Sequence, residues 1–233
     1  MQRQVTFYEK YIKRLLDILC ASAVLLLFWW VYAILALLVR CKLGSPVLFK
    51  QMRPGKDEMI FAMYKFRSMT DDRDENGELL PDEVRLTPFG KALRASSLDE
   101  LPEMFNILKG EMSLIGPRPQ LVRDMVFMTD RQRQRHTVRP GLSGLAQVNG
   151  RNDIDWEDKL EWDLKYIQRI TFWGDVKIVF QTIQKAFIHQ EGITDGDMAT
   201  AMDFGDYLLA KDAVDAEDYE RKQAEAKELL SAR

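Results

Sequence analysis

From Ile18 to Val39 the chain reads ILCASAVLLLFWWVYAILALLV, without one charged residue. As a straight helix this run extends about 33 Å, enough to cover the hydrocarbon core of a bilayer. A core helix of a soluble protein is rarely so long or so uniformly apolar. A cleaved signal peptide would be followed by a small-residue site, whereas here the flank is Arg40-Cys41-Lys42. Membrane insertion is therefore the expectation, but its geometry is open. Lys10, Lys13 and Arg14 precede the run, and Arg40, Lys42, Lys50 and Arg53 follow it, so the positive-inside rule marks no outer end. Trp29 and Trp30 stand mid-run although tryptophan favours the interface, which argues for a shallow or bent insertion. Yet no Pro or Gly supplies a bend.

Composition then narrows the chemistry. The formal charge is only −3, so nothing in the balance calls for a nucleic-acid partner. The two histidines, His136 and His189, lack ligand spacing, which disfavours a zinc site or a histidine-based triad. Cys20 and Cys41 lie in or beside the apolar run and read as buried free thiols, not a disulfide framework. Carboxylates, cations and backbone must carry any reaction, with a hard metal ion as the natural helper.

The stretch Ser96–Pro119, SSLDELPEMFNILKGEMSLIGPRP, concentrates those groups. Ser97-x-x-Glu100 reads as a capping box opening a helix through Leu101, Met104, Phe105 and Leu108, with Asp99 and Glu100 at its N-terminus. The helix dipole favours ionised carboxylates there, able to hold Mg²⁺ or to attack phosphorus. Simple capping is the competing reading. The rigid corner Gly116-Pro117-Arg118-Pro119 follows. Upstream, Val47–Gln51 and Met59–Phe66 flank a Pro-Gly turn and read as a β-hairpin whose second strand ends in Lys65-Phe66-Arg67. Asp71 to Glu83 reads as a solvated acidic loop, and Phe89 to Arg94 as a short helix.

Downstream, Val122 to His136 reads as one charged helix. Arg131, Arg133 and Arg135 alternate along it, suited to lipid headgroups or to plain solvation. The Gly-rich stretch Val138 to Asn152 holds Arg139, Gln147, Asn149 and Arg151, groups that suit a phosphate or nucleotide, although such loops also serve as connectors. Trp156 to Ile170 is a core helix by its Leu160, Leu164, Ile167 spacing. On Phe172 to Phe187 the large side chains Phe172, Trp173, Val176, Val179, Phe180 and Ile183 share a face, for a membrane interface or for core packing. Met198 to Arg233 reads as an appended helix or partly disordered polar tail without chemistry.

In this order the blocks FKQ-x-RPG (49–55), YKFRSM (64–69), SLDELP (97–102), LKGEMS (108–113), GPRP (116–119), VRPG (138–141) and QVNGR (147–151) resemble the bacterial sugar transferase family. These are the monotopic phosphoglycosyl transferases that begin glycoconjugate assembly on a polyprenol carrier. The resemblance spans roughly residues 8 to 192 and fits the small form of the family. It implies a mostly helical α+β fold with an N-terminal re-entrant membrane helix, one β-hairpin, interfacial amphipathic helices and a small cytoplasmic catalytic domain. In those terms residues 1–43 are the membrane-inserted helix, 44–192 the catalytic domain and 193–233 the tail. Where family members often place Ser-Pro at the bend of the membrane helix, this chain has Trp29-Trp30.

The implied reaction takes sugar-1-phosphate from a UDP-sugar to undecaprenyl (polyprenol) phosphate at the bacterial inner membrane, releasing UMP. Asp99 is then the nucleophile, and Glu100 assists at Mg²⁺ and with the acceptor. Lys65, Arg67, Arg118 with Pro119, Arg139, Gln147, Asn149 and Arg151 are the expected substrate-binding residues. Two rival readings stand beside it: a glycosyltransferase that releases UDP, and a membrane-anchored scaffold. The sugar, the pathway and the oligomeric state are not legible.

Overall fold

The computed structural model describes residues 3–150, 155–185 and 202–232. A π-helical turn, Tyr8–Ile12, leads directly into α1, Lys13–Leu43. The apolar run is thus one helix, and it does bend: Phe28 leaves helical geometry at φ −113°, ψ 16°. The break needs no Pro or Gly and falls one residue before Trp29-Trp30. A single stripe of α1 is buried, through Asp17, Ala21, Leu35, Val39 and Leu43. Leu26, Leu27, Trp29, Trp30 and Leu37 face outward. Cys20 and Cys41 are exposed on that outer surface, not buried as expected, because neither falls on the packed stripe.

β1 (Leu48–Pro54) and β2 (Ile60–Phe66) form the expected antiparallel hairpin, with Phe49 opposite Lys65. The acidic loop is exposed and leads into α2 (Asp82–Arg85) and α3 (Pro88–Ala95). Pro88 starts α3, and Thr87 caps it by accepting from the Gly90 N–H at 3.2 Å. α4 is short, Glu103–Lys109, and stops at Gly110, whose φ of +87° suits glycine.

Next come β3 (Ser113–Ile115), α5 (Val122–Met125) and α6 (Asp130–Arg133), followed by a 3₁₀ turn at Gln134–Thr137. The single helix expected over 122–136 is therefore broken. Thr129 starts a fresh helix: Gln132 N–H donates to its hydroxyl at 3.3 Å, and the Gln132 side chain accepts from Thr129 N–H at 2.9 Å. β4 (Gly141–Ser143) pairs in parallel with β3, a ladder not foreseen. It joins two of the sequence blocks backbone to backbone. A Cβ on Gly141 would sit 2.0 Å from the Gly116 nitrogen, so the contact tolerates no side chain.

α7 (Leu145–Asn149) and the core helix α8 (Trp156–Gln168) precede α9 (Phe172–Gln184). α10 (Phe204–Ala210) and α11 (Ala216–Ser231) close the chain. Of the two readings of this segment, the described residues 202–232 follow the appended helix. Phe204 and Ala226 are buried in one cluster with Val122, Met125, Phe127, Trp156 and Leu160. Phe204 N–H donates to Asp124 Oδ1 at 2.9 Å, and Trp156 Nε1 to the Met202 carbonyl at 3.0 Å. Ala, Asp, Glu and Lys dominate this segment, and Phe204, Tyr207, Leu208, Val214, Tyr219, Ala226 and Leu229 pack against the domain while Met202, Leu209 and Leu230 stay exposed.

Candidate active site

Ser97 takes a left-handed conformation, φ +54°, and its side chain caps nothing. The expected capping box is absent. Instead Leu98–Glu100 forms a 3₁₀ turn between α3 and α4, with Pro102 as the residue before α4. The turn aims the two adjacent carboxylates differently. Asp99 is 8 % exposed and makes no hydrogen bond to any described residue. Glu100 Oε1 accepts from Lys65 Nζ at 2.6 Å and from Arg118 Nη2 at 2.5 Å. Hairpin, turn and Gly-Pro-Arg-Pro corner therefore meet at one oxygen atom.

Electrostatics separates the pair. Burial, then the charge of Glu100, pushes Asp99 up from 3.8 to about 6, against Lys65, Arg94 and Arg118. Burial also works against ionised Glu100, but Arg118 and Lys65 prevail and hold it well below the usual carboxylate range. Arg118 in turn is raised, chiefly by Glu100. A third carboxylate, Glu103, is 2 % exposed with its Oε1 3.4 Å from Lys65 Nζ. Burial and the neighbouring Glu100 lift it to about 7.

The corner that carries Arg118 is tied at three successive carbonyls. Pro117 O accepts from Gly141 N–H at 3.0 Å, Arg118 O from Arg135 Nη2 at 2.6 Å, and Pro119 O from Arg53 Nη1 at 3.1 Å. Both prolines fix φ, so the backbone has little freedom left. Arg135 is 1 % exposed and also binds Asp163 Oδ2 through Nε (2.9 Å) and Nη2 (2.6 Å). The lipid-headgroup reading of this arginine is thus overturned: its charge is neutralised indoors. Arg131 and Arg133 pair with Glu161 and Glu58. His136 stays neutral, since burial and then Arg135 lower it to about 3. Asn106, fully buried, accepts from Tyr64 N–H at 3.0 Å and donates to Ala62 O at 2.7 Å, locking α4 onto β2.

The other expected binding residues lie elsewhere. Arg67 is buried and donates to Met69 O and Ser45 O, both at 2.7 Å, and pairs with Asp71 at 2.8 Å. Arg139 donates to Gly110 O at 2.7 Å. Gln147 and Asn149 bond within their own segment, to Leu142 O at 3.3 Å and Leu145 O at 2.7 Å. Arg151 lies outside the described residues. Of the expected set, the structure brings together Lys65, Asp99, Glu100 and Arg118, with Pro119 behind them. Sequence reasoning missed Glu103, Asn106, Arg135 and Asp163. Glu103 had a signal, lying three residues after Glu100; the others needed the packing.

The apolar helix is fastened to the same unit. Arg14 donates to Ile107 O (2.6 Å) and Leu108 O (2.9 Å), satisfying the last carbonyls of α4. Tyr32 Oη donates to Leu101 O at 2.8 Å. Asp17, in the buried stripe, accepts from Ser113 Oγ and Leu114 N–H, each at 3.0 Å.

A buried carboxylate among cations thus shares one unit with a helix long and apolar enough to cross a membrane. Residues 8–189 match the bacterial sugar transferase family, and the chain belongs to it. It is 47 % identical over 199 residues to the uncharacterized sugar transferase EpsL of Bacillus subtilis, covering 83 % of this chain and 95 % of that one. It is 40 % identical to a UDP-glucose:undecaprenyl-phosphate glucose-1-phosphate transferase of Klebsiella pneumoniae, over 76 % of this chain but only 40 % of that protein. The exopolysaccharide production protein ExoY of Rhizobium meliloti is 36 % identical over 73 % of this chain and 83 % of its own length.

The raised Asp99 carries a pH prediction. If Asp99 is the nucleophile that the sequence resemblance implies, it must be ionised to attack, so kcat/KM, which reports the free enzyme, should rise tenfold per pH unit below about 6 and level off above it. A profile flat through that range in steady-state assays would remove Asp99 from the free-enzyme titration.

Proposed function

We propose that this phosphoglycosyl transferase moves a sugar-1-phosphate from a UDP-sugar to a polyprenyl phosphate in two displacements at Asp99. The carrying observation is that Asp99 alone of the three carboxylates has no partner among the described residues, while its neighbour Glu100 gathers Lys65 and Arg118. In the first step an Asp99 oxygen attacks the β-phosphorus. The bond from that phosphorus to the bridging oxygen breaks, the electron pair leaves with UMP, and an acyl-phosphate-linked sugar remains. In the second step a phosphate oxygen of the polyprenyl acceptor attacks the same phosphorus and Asp99 leaves as carboxylate. Two displacements replace one difficult encounter of polyanions.

Lys65 and Arg118 offer donors and positive charge where phosphate oxygens accumulate charge. Glu100 acts as their organiser. Its strongly lowered pKa makes it a poor general base, a task that needs a pKa near the working pH. Mg²⁺ typically takes one or two carboxylates plus substrate phosphates and water, a demand that two adjacent carboxylates beside a diphosphate can meet. Asp99 and the free Oε2 of Glu100 would hold it. When bound, it neutralises diphosphate charge that otherwise repels a carboxylate nucleophile.

The packing of α1 supports a re-entrant or in-plane insertion. Arg14 near its start, Tyr32 past the Phe28 bend and Leu43 at its end all touch one polar catalytic unit. A helix crossing the bilayer would separate its ends by the hydrocarbon thickness. The face of α9 supports the same placement: Trp173 and Phe180 are 76 % and 68 % exposed, and the buried residues are Asp175 and Ile178. Among the described residues nothing covers Trp173 or Phe180, which disfavours core packing of that face. With both helices at the interface, the catalytic unit sits on the cytoplasmic side, where UDP-sugars are supplied.

Product analysis tests the reaction. Purified full-length protein incubated with UDP-sugars and a short polyprenyl phosphate should release UMP in step with polyprenyl-diphosphate-sugar. UDP as the nucleotide product would assign a plain glycosyl transfer.

A further inference from the structure

Where the first turns of α1 meet the loop before β4, the fold forms an open cavity of about 390 Å³. Six basic side chains and only two carboxylates line it. Both carboxylates are engaged: Glu9 pairs with Arg3, and Asp17 accepts from Ser113 and Leu114. Lys13 is neutralised by Asp175 at 2.5 Å. Of the other cations Arg14 feels the charge of Asp17, and the lining keeps a positive excess. Among the described residues no carboxylate lies within 4.0 Å of Lys10, Arg14 or Arg139, and Lys56 has only the exposed Asp57 at 3.8 Å. Arg14 and Arg139 converge on one residue: Arg139 Nε donates to Gly110 O, and Arg14 Nη2 would be 3.3 Å from a Cβ placed there. Two like charges brought together in this way, beside two more, favour an anion.

We infer that this cavity binds the phosphate headgroup of an anionic phospholipid. Val5 lines the cavity, and the stretch of chain that carries its cations exposes further apolar side chains suited to acyl chains: Val5, Phe7, Tyr11 and Leu15 are 57 %, 70 %, 57 % and 56 % exposed. In the same stretch Tyr8 packs edge-on to Phe172, the first residue of α9, at 5.7 Å. A soluble phosphate would gain nothing from these apolar side chains. Nor is the cavity the reacting position of the acceptor, because Lys65, Asp99, Glu100, Glu103 and Arg118 do not line it. The inference rests on membrane insertion of α1 and not on the nature of the nucleophile. A lipid seated here would hold the first turns of α1 against β3, the loop before β4 and the end of α8 at the interface.

Native mass spectrometry of the detergent-solubilised full chain provides the test, titrating short-chain phosphatidylglycerol, phosphatidylcholine and glycerol 1-phosphate separately. Phosphatidylglycerol should be retained in preference to phosphatidylcholine, and glycerol 1-phosphate should not displace it. Lys10 and Lys56 are exposed, with contacts only to the exposed Tyr11 ring (5.1 Å) and Asp57 (3.8 Å), so K10Q/K56Q should fold while weakening phosphatidylglycerol at least about tenfold. R14Q/R139Q should abolish retention; if that variant does not fold, K10Q/K56Q decides. Equal retention of both lipids, or parental affinity in K10Q/K56Q, would overturn the site. Tight binding of glycerol 1-phosphate would reassign it to a soluble phosphate and overturn the lipid. Asp99→Asn should retain phosphatidylglycerol like the parent, so a failure of the catalytic reading leaves this result intact.

Discussion

Asp99→Asn should lower UMP release by at least about 10⁴-fold, the scale on which removing a nucleophile acts when binding groups remain. The change is close to isosteric, and Asp99 makes no hydrogen bond to a described residue, so no structural tie is cut. The same substitution should stabilise the fold. Asp99 is raised from 3.8 to about 6, so between those values the folded chain binds more protons than the unfolded chain. Stability falls there as pH rises, and the asparagine variant escapes that loss. The gain in unfolding free energy should be on the order of 1–3 kcal/mol at neutral pH, grow from pH 4 to 6, and then stay constant. Thermal melts at several pH values check it. A merely capping Asp99 would give neither effect, since asparagine caps equally well.

Arg135→Ala should be the most damaging change outside the reacting groups. It leaves Asp163 buried without its cation and frees the Arg118 carbonyl. Breaking a buried ion pair from one side costs about 3–5 kcal/mol. The paired replacement R135M/D163L should recover most of that stability, because apolar side chains of similar volume suit a dry site. Turnover should stay low in the recovered protein, since Arg118 has lost the donor that fixes its backbone. Recovery of stability and activity together would show that Arg135 serves folding alone.

Much of this site is legible in the sequence. The hairpin with Lys65 at its end, the adjacent Asp99 and Glu100, and the rigid corner around Arg118 are all local patterns, and they meet at one carboxylate oxygen. What was not legible depends on which side of an element faces the domain. Arg135 is a surface residue by type, and only the arrival of Asp163, 28 residues later, makes it an interior one. The aromatic face of α9 is equally apolar whether it points in or out, and Asp175 decides the matter by binding Tyr8 and Tyr166 on the inner side. Ser97 matched a capping pattern, but the chain needed a left-handed residue there to turn from α3 toward α4. Residues 202–232 looked like a tail because α11 buries only Ala226, while Tyr219 and Leu229 pack part-buried beside it.

The central claim is a covalent bond between Asp99 and the sugar phosphate. Mass spectrometry of the full-length protein incubated with a UDP-sugar and no acceptor, quenched in acid and digested, measures it directly. The peptide containing Asp99 should carry the added mass of one phosphosugar, and that mass should vanish when polyprenyl phosphate is supplied. UMP released with that peptide unmodified, or with the phosphosugar on another residue, would contradict the account.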